Sequence, residues 1–247
     1  MTINLHLFFF MTAVVAFIIG VAKGGLGGML GALATPMMAL VMPPEKVLGI
    51  VLPILMIGDI FAVGLHWGHW NRKLILLLLP GSVIGVTIGT IFITNAPTSV
   101  LRIGLGVIVL VFAIYKIFEK RILSLLSYRP RNWHGLLMGT ITGFSSALAH
   151  TGGPPVSIYL LMQDVTPRVF IATSALFFMI LNWIKVPYYL YAGLFDFQRL
   201  LGIIWLMPLV PLGAWFGRWA VTQVSKQTFE RVIVGLLAVS AVLLILE

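Results

Sequence analysis

Charged residues are scarce in this sequence. Aspartate, glutamate, lysine and arginine make up 9% of its 247 residues, whereas hydrophobic residues make up 60%. A soluble domain carries about 25% charged residues, and a chain of this length cannot hide so much apolar surface in one core. Long stretches carry no charge at all: 1–22, 24–44, 74–101, 132–163 and 200–217. The composition therefore excludes a soluble domain and predicts an all-α integral membrane protein.

Cysteine is absent, and only seven residues are acidic. The first absence excludes a disulfide framework and thiolate chemistry. The second leaves no convergent set of nucleophile, base or metal ligands, so we expect no catalytic residues, no metal and no cofactor. A Walker-type phosphate loop is also missing, which argues against ATP as the energy source.

The net charge of +9 does not indicate a nucleic-acid partner, because the basic residues are scattered through interhelical loops. Membrane proteins concentrate lysine and arginine on the cytoplasmic side. If the linker faces the cytoplasm, with its cations Lys116, Lys120 and Arg121, most other cations of the chain also lie on the cytoplasmic side. Lys185 and Arg199 are then among the few basic residues at the outer face. The sequence therefore predicts a multi-pass protein of the inner (cytoplasmic) membrane, with both termini away from the cytoplasm. The apolar N-terminus lacks the features of a cleaved signal peptide, so we interpret it as a mature segment.

An internal duplication runs through the chain. Setting Gly20 on Gly143 aligns the surrounding segments, and "LPGSVIGVTIG" (79–89) matches "MPLVPLGAWFG" (207–217). In these two segments glycines recur at a spacing of four, Gly85 with Gly89 and Gly213 with Gly217. We expect them to pack helices closely, as small residues do in membranes.

Each half contains about five apolar segments, an odd number, so the second half should enter the membrane from the opposite side. We predict two inverted transmembrane repeats, 1–118 and 132–247, joined by a basic cytoplasmic linker, 119–131, in one structural unit. The predicted segments are 4–22, 26–42, 47–66, 74–94, 99–118, 133–149, 154–163, 169–191, 200–219 and 228–246.

The stretch "ALAHTGGPPVSIYLL" (147–161) breaks an apolar run. A helix over 154–163 would be about 15 Å long, half of the ~30 Å hydrocarbon core. We expect a helix that ends near His150 and a half-helix that begins near Pro155, in a broken or re-entrant hairpin spanning 133–163. A helix N-terminus at that depth carries free N–H groups and a partial positive charge, which favour an anion.

The counterpart in the first half is the glycine-rich stretch "GVAKGGLGGMLGALATP" (20–36), inside a hairpin spanning 4–42. It holds one charge, Lys23. A lysine at membrane depth is costly and suggests a function; the other interpretation is a lysine whose ammonium group extends from a turn to the cytoplasmic interface. We expect the two breaks to meet around a small anionic substrate. The candidate binding residues are Lys23, Gly24, Gly25, Gly27, Gly28, His150, Thr151, Gly152, Gly153 and Pro154.

Three further residues are candidates for coupling or gating. Asp59 is the only acid deep in an apolar segment, and the repeat aligns it with Asn182. It could carry a coupling proton, make a structural hydrogen bond or pair with a lysine. Lys185 follows Asn182 by three residues on a similar helix face. It could attract anions into an outer vestibule, although an interfacial anchor is the simpler interpretation. The histidines of "HWGHW" (66–70) are interpreted as part of an interfacial aromatic belt.

The segments "AKGGLGGMLGALATPMMALVMPP", "LPILMIGDIFAV", "GFSSALAHTGGPPVSIYLL" and "NWIKVPYYLYAGLF" resemble the TauE/SafE family of membrane transporters, also called the sulfite exporter family. The resemblance covers nearly the whole chain. It implies a transporter of small anions such as sulfite, organosulfonates or related carboxylates.

The residues and the resemblance together favour a secondary transporter that works by alternating access, with a proton as a plausible coupling ion. A passive anion channel built from the same hairpins is hard to distinguish from it by sequence, and a membrane-embedded enzyme is disfavoured because no catalytic set is present. The expected partners are the anion and membrane lipid. A homodimer is compatible with the sequence, but no segment marks an interface.

Overall fold

The computed structural model describes residues 5–26, 30–125, 130–223 and 226–246, and these residues form helices and turns without any strand. The prediction of an all-α membrane protein is confirmed. Five helices are long and apolar enough to cross a membrane: Leu5–Gly24, Pro44–Leu65, Arg72–Asn95, Thr98–Glu119 and Pro167–Tyr191.

The first half contains five α-helices and one irregular segment. Helix α1 is continued by a π turn and, after three residues outside the described part, by a 3₁₀ turn that leads into the short α2. The elements are α1 (Leu5–Val21), the π turn (Ala22–Leu26), the 3₁₀ turn (Leu30–Leu33), α2 (Ala34–Ala39), α3 (Pro44–Leu65), α4 (Arg72–Asn95) and α5 (Thr98–Leu125).

The second half repeats this order with one further interruption. Its elements are α6 (Asn132–Ala149), α7 (Gly153–Leu161), α8 (Pro167–Tyr191), α9 (Phe197–Gly202), a 3₁₀ turn (Ile204–Leu206), α10 (Leu209–Gln223) and α11 (Lys226–Leu246). The prolines that the repeat aligns, Pro44 and Pro167, begin α3 and α8, where a missing backbone N–H is harmless.

Two predicted boundaries differ from the structure. The segment 200–219 is not one helix, because α9 ends at Gly202, a 3₁₀ turn (Ile204–Leu206) follows, and α10 begins only after Pro208. Helix α5 continues to Leu125, into the expected linker 119–131, where Lys116 and Glu119 form an ion pair along the helix surface.

Helices α1 and α10 pack at the shortest distance that a glycine interface permits. A Cβ atom added to Gly20 would lie 2.1 Å from the carbonyl oxygen of Val210, and one added to Gly213 would lie 2.3 Å from that of Phe17. Only glycine fits at these positions, and the helices meet backbone against backbone as expected for small-residue interfaces in membranes.

Helices α4 and α6 form the counterpart of that interface. A Cβ on Gly143 would lie 2.1 Å from the carbonyl oxygen of Ser82, and one on Gly85 would lie 2.1 Å from that of Thr140. In the repeat, Gly143 aligns with Gly20 and Gly85 with Gly213. The residues that supply the facing carbonyl oxygens also align, Ser82 with Val210 and Thr140 with Phe17. The predicted glycine packing is therefore confirmed, and both halves use it at equivalent positions.

The helices that the repeat relates to each other also pack against each other at the centre: α3 against α8, and α5 against α11. A two-fold relation between the halves would place these pairs along its axis. The opposite membrane orientation of the halves, and the division at 118 and 132, stay predictions.

Candidate functional site

The break after α1 carries the first candidate cation. Lys23 lies in the π turn, and its Nζ is 2.5 Å from Oδ1 of Asp59 on α3. The Asp59 side chain is fully buried, while that of Lys23 keeps 18% of its surface exposed. Gly24 holds the turn against α10, since a Cβ there would lie 2.1 Å from the Ala214 carbonyl oxygen. Lys23 is thus half of a largely buried ion pair.

The backbone of Gly25 belongs to the same π turn. The other two glycines predicted for this break, Gly27 and Gly28, lie outside the described residues.

Asp59 connects the two halves of the protein. Its second oxygen, Oδ2, accepts a hydrogen bond of 2.6 Å from Nδ2 of Asn182 on α8, and both residues are buried. The repeat aligns these two residues, and the structure brings them into contact. If equivalent residues touch, the axis that relates the halves passes close to them. Asp59 thus joins α3 to the first break and to α8, with both of its oxygens occupied.

The second break has the predicted form. Helix α6 ends at Ala149, and His150 follows in the left-handed region at φ 54°, which is uncommon for a residue other than glycine. Helix α7 begins at Gly153 with Pro154 in its first turn, after Gly152 at the N-cap. Gly152 is packed tightly, since its Cβ would meet the Thr142 side chain at 2.8 Å.

Two polar side chains at this break differ in their partners. The Nε2 atom of His150 lies 3.2 Å from the carbonyl oxygen of Leu48 on α3. Thr151 is 4% exposed, and its hydroxyl has no hydrogen-bond partner among the described residues. A buried hydroxyl without a partner is unusual in a folded protein.

The structure corrects the interpretation of Lys185 as an interfacial anchor or part of an outer vestibule. Its side chain is completely buried. The ammonium nitrogen lies 2.8 Å from Nδ1 of His150 and 3.1 Å from the hydroxyl of Ser146. Lysines near helix ends normally extend to the interface, but here α6 supplies polar partners inside the bundle. Each of the two breaks is therefore connected to both α3 and α8.

A cavity of about 310 Å³ extends from the surface to Lys23. Two further basic residues line it, His66 at the end of α3 and Arg218 on α10. The apolar lining residues are Ala22, Gly24, Ala62, Leu65 and Ile171. The cavity is therefore a recess with apolar walls and three basic residues, one of which, Lys23, is paired with the buried Asp59.

Sequence reasoning missed Arg218 and His66 as members of this cavity. One signal for Arg218 was present, because it follows Gly217, which belongs to the glycine pattern of α10. A Cβ on Gly217 would lie 2.5 Å from the carbonyl oxygen of Val21, so Arg218 is held beside the end of α1. No comparable signal marks His66, which the sequence placed in an aromatic belt.

Of the three basic residues in the cavity, His66 has a perturbed pKa. Burial lowers the pKa of His66, and electrostatic interactions with Arg168 and His69 lower it further. The ordinary pKa of histidine is about 6.5, so His66 is neutral at pH 7. Among the described residues, no group of three histidine or acidic side chains is placed to hold a metal ion.

The comparisons with known proteins give one match. The model of the family described as "Sulfite exporter TauE/SafE" matches residues 12–244, which is nearly the whole chain. No curated protein and no solved structure matches the chain.

Proposed function

The chain belongs to the TauE/SafE sulfite exporter family, and from that premise we propose that it is a secondary transporter of small anions such as sulfite, organosulfonates or related carboxylates. We place it in the inner membrane as a multi-pass protein. The anion binds at the inner end of the cavity, beside Lys23, and is released to the other side by alternating access.

One observation carries this proposal: a cavity in a membrane protein is lined by basic residues, one of which belongs to a largely buried ion pair. Arg218 lies with the paired Lys23 between apolar walls, where electrostatic attraction is stronger than in water. Pockets for drug-sized ligands occupy about 300–1,000 Å³. A volume of about 310 Å³ is at the small end of that range and suits a small anion with some of its hydration water.

The ion pair gives the binding step a simple chemistry. A bound anion competes with the Asp59 carboxylate for Lys23, which is held at 2.5 Å in this structure. Asp59 keeps its hydrogen bond to Asn182 in the meantime. Anion binding at one break therefore changes the charge balance at the centre of the molecule, which gives Asp59 its role in coupling.

The test is uptake of sulfite, sulfoacetate, taurine and small carboxylates into proteoliposomes. Wild type should show saturable uptake and counterflow of at least one of these anions. Arg218→Gln should raise KM about fivefold, the effect of losing roughly 1 kcal/mol of attraction. Lys23→Ala should abolish uptake, and Lys23→Arg should keep part of it.

Lys73→Ala is the matched control, since it removes the same charge from an exposed position outside the cavity. It should leave KM unchanged. Folded wild-type protein that takes up none of the anions would contradict the proposed function. Uptake that does not saturate and shows no counterflow would replace the transporter with a channel, and normal uptake by Lys23→Ala would remove the site assignment.

A further inference from the structure

A second group of basic side chains is formed by Lys185 on α8 and His150 at the end of α6. Lys185 is completely buried, and its ammonium group contacts His150 Nδ1 at 2.8 Å and Ser146 Oγ at 3.1 Å. Among the described residues, no carboxylate forms an ion pair with it. The acid on the adjacent helix, Asp59, already binds Lys23 and Asn182. Burial of an ammonium group that forms no ion pair among the described residues is costly, and a bound anion would offset that cost.

The cluster corresponds to the open cavity under the repeat. The alignment that sets Gly20 on Gly143 sets the cavity residues Lys23, Ala62 and Ile171 on Ser146, Lys185 and Leu48. Two of the three counterparts contact the Lys185–His150 pair: Ser146 through its hydroxyl and Leu48 through its carbonyl oxygen. The cluster therefore occupies, in one half of the structure, the place that the cavity occupies in the other.

The two places differ in that one is open and the other closed. Leu65 and Ile171 on the cavity side are each nearly half exposed. On the cluster side, Tyr189 is completely buried and donates a hydrogen bond of 2.7 Å to the carbonyl oxygen of Ala147. Its ring packs edge-on against His150 at 6.2 Å between centroids. Tyr189 thus closes the cluster from the surroundings.

Unused hydrogen-bond donors lie beside the cluster. The hydroxyl of Thr151, next to His150, and the hydroxyl of Thr142, one helical turn before Ser146, are buried without partners among the described residues. Such groups are rare in native proteins unless a ligand or water completes them. Together with Lys185, they are donors of the kind that an oxyanion requires.

We propose that Lys185, His150, Ser146 and Thr151 form a second anion-binding compartment, closed in this structure, which opens to the opposite membrane face when the Lys23 cavity closes. The proposal rests on the proposed transport function and adds the exit side of the pathway. The Asp59–Asn182 contact separates the two compartments, because it lies near the axis that exchanges them.

Accessibility of introduced thiols tests the arrangement without requiring a known substrate. The chain contains no cysteine, so each single-cysteine variant carries one unique thiol. Ile171→Cys probes the cavity, and Leu48→Cys probes the equivalent position beside the cluster. A membrane-impermeant maleimide, applied to either face of oriented proteoliposomes, should label the two thiols from opposite faces. Labelling of both from the same face would overturn the proposal.

Transport by Lys185 variants tests the chemistry. Lys185→Met removes a buried charge that has no carboxylate partner, so it should fold with an unchanged or raised Tm. Sulfoacetate counterflow should nevertheless fall more than tenfold, while Lys185→Arg should keep part of it. A purely structural lysine would give a lowered Tm instead. Counterflow at the wild-type rate in folded Lys185→Met would overturn the second compartment and leave the Lys23 site intact, whereas absence of all anion transport in wild type would contradict the proposed function itself.

Discussion

Alanine substitutions at the two equivalent glycines, Gly20 and Gly143, should disrupt the protein equally. Each added Cβ would lie 2.1 Å from a carbonyl oxygen on the facing helix, and ordinary contact begins at 3.4 Å. The helices would have to separate by about 1.3 Å along the whole interface, because the atom in the way is backbone and cannot rotate aside. Overpacking of this kind costs about 1–3 kcal/mol. The better helix propensity of alanine recovers up to about 1 kcal/mol of that.

Thermal unfolding in detergent measures the effect. For a chain of this size, each kcal/mol lowers Tm by about 2–4 °C, so both variants should melt several degrees below wild type. Gly64→Ala is the control, since Gly64 lies near the end of α3 with no atom within 4 Å of the added Cβ. Its Tm should stay at or above that of wild type. If Gly20→Ala or Gly143→Ala melted like Gly64→Ala, the close backbone packing of α1 on α10 or of α4 on α6 would be refuted.

Three further substitutions give distinct outcomes. Tyr189→Phe should cost about 1 kcal/mol, seen as a lowered Tm, because a buried hydrogen bond of 2.7 Å is lost; Tyr191→Phe, at a position 95% exposed, should change nothing. Burial lowers the pKa of His66 in the folded protein, so below about pH 6.5 the unfolded chain binds a proton more readily and the wild type loses stability. His66→Gln should reduce that loss of Tm when Tm is measured as a function of pH. The same substitution should leave KM at pH 7.5 within about twofold of wild type. Asn182→Asp should lower Tm, because the amide hydrogen bond to Asp59 is lost and two carboxylates at that separation repel each other or must share a proton; an unchanged Tm would refute the contact.

The repeat and its breaks could be predicted because they depend on local chemistry. Glycine at a spacing of four marks close helix packing wherever it occurs, and "HTGGPP" ends one helix and begins another regardless of its neighbours. The alignment of Asp59 with Asn182 was also visible in the sequence. Their contact was not, because an alignment says which residues are equivalent and not how far they lie from the axis.

The positions of the cations could not be predicted, because they depend on partners in other helices. The predicted membrane orientation placed Lys185 near the outer face, where an interfacial anchor was the simpler interpretation. Its burial follows from the polar atoms of Ser146 and His150, which come from a helix far away in sequence. The same is true of Arg218, which lines the cavity together with Lys23 because α10 packs on α1.

The repeat aligns a carboxylate, Asp59, with an amide, Asn182, and their contact in the structure explains this chemical difference. Two residues that contact each other at 2.6 Å cannot both carry the same charge without a large cost. An amide opposite a carboxylate turns that repulsion into a hydrogen bond, and it leaves one negative charge for two lysines, Lys23 on one side and Lys185 on the other. A duplicated scaffold with symmetric charges could not have this property. The unequal pair leaves one carboxylate for two lysines, and the proposed anion binding makes use of that excess of positive charge.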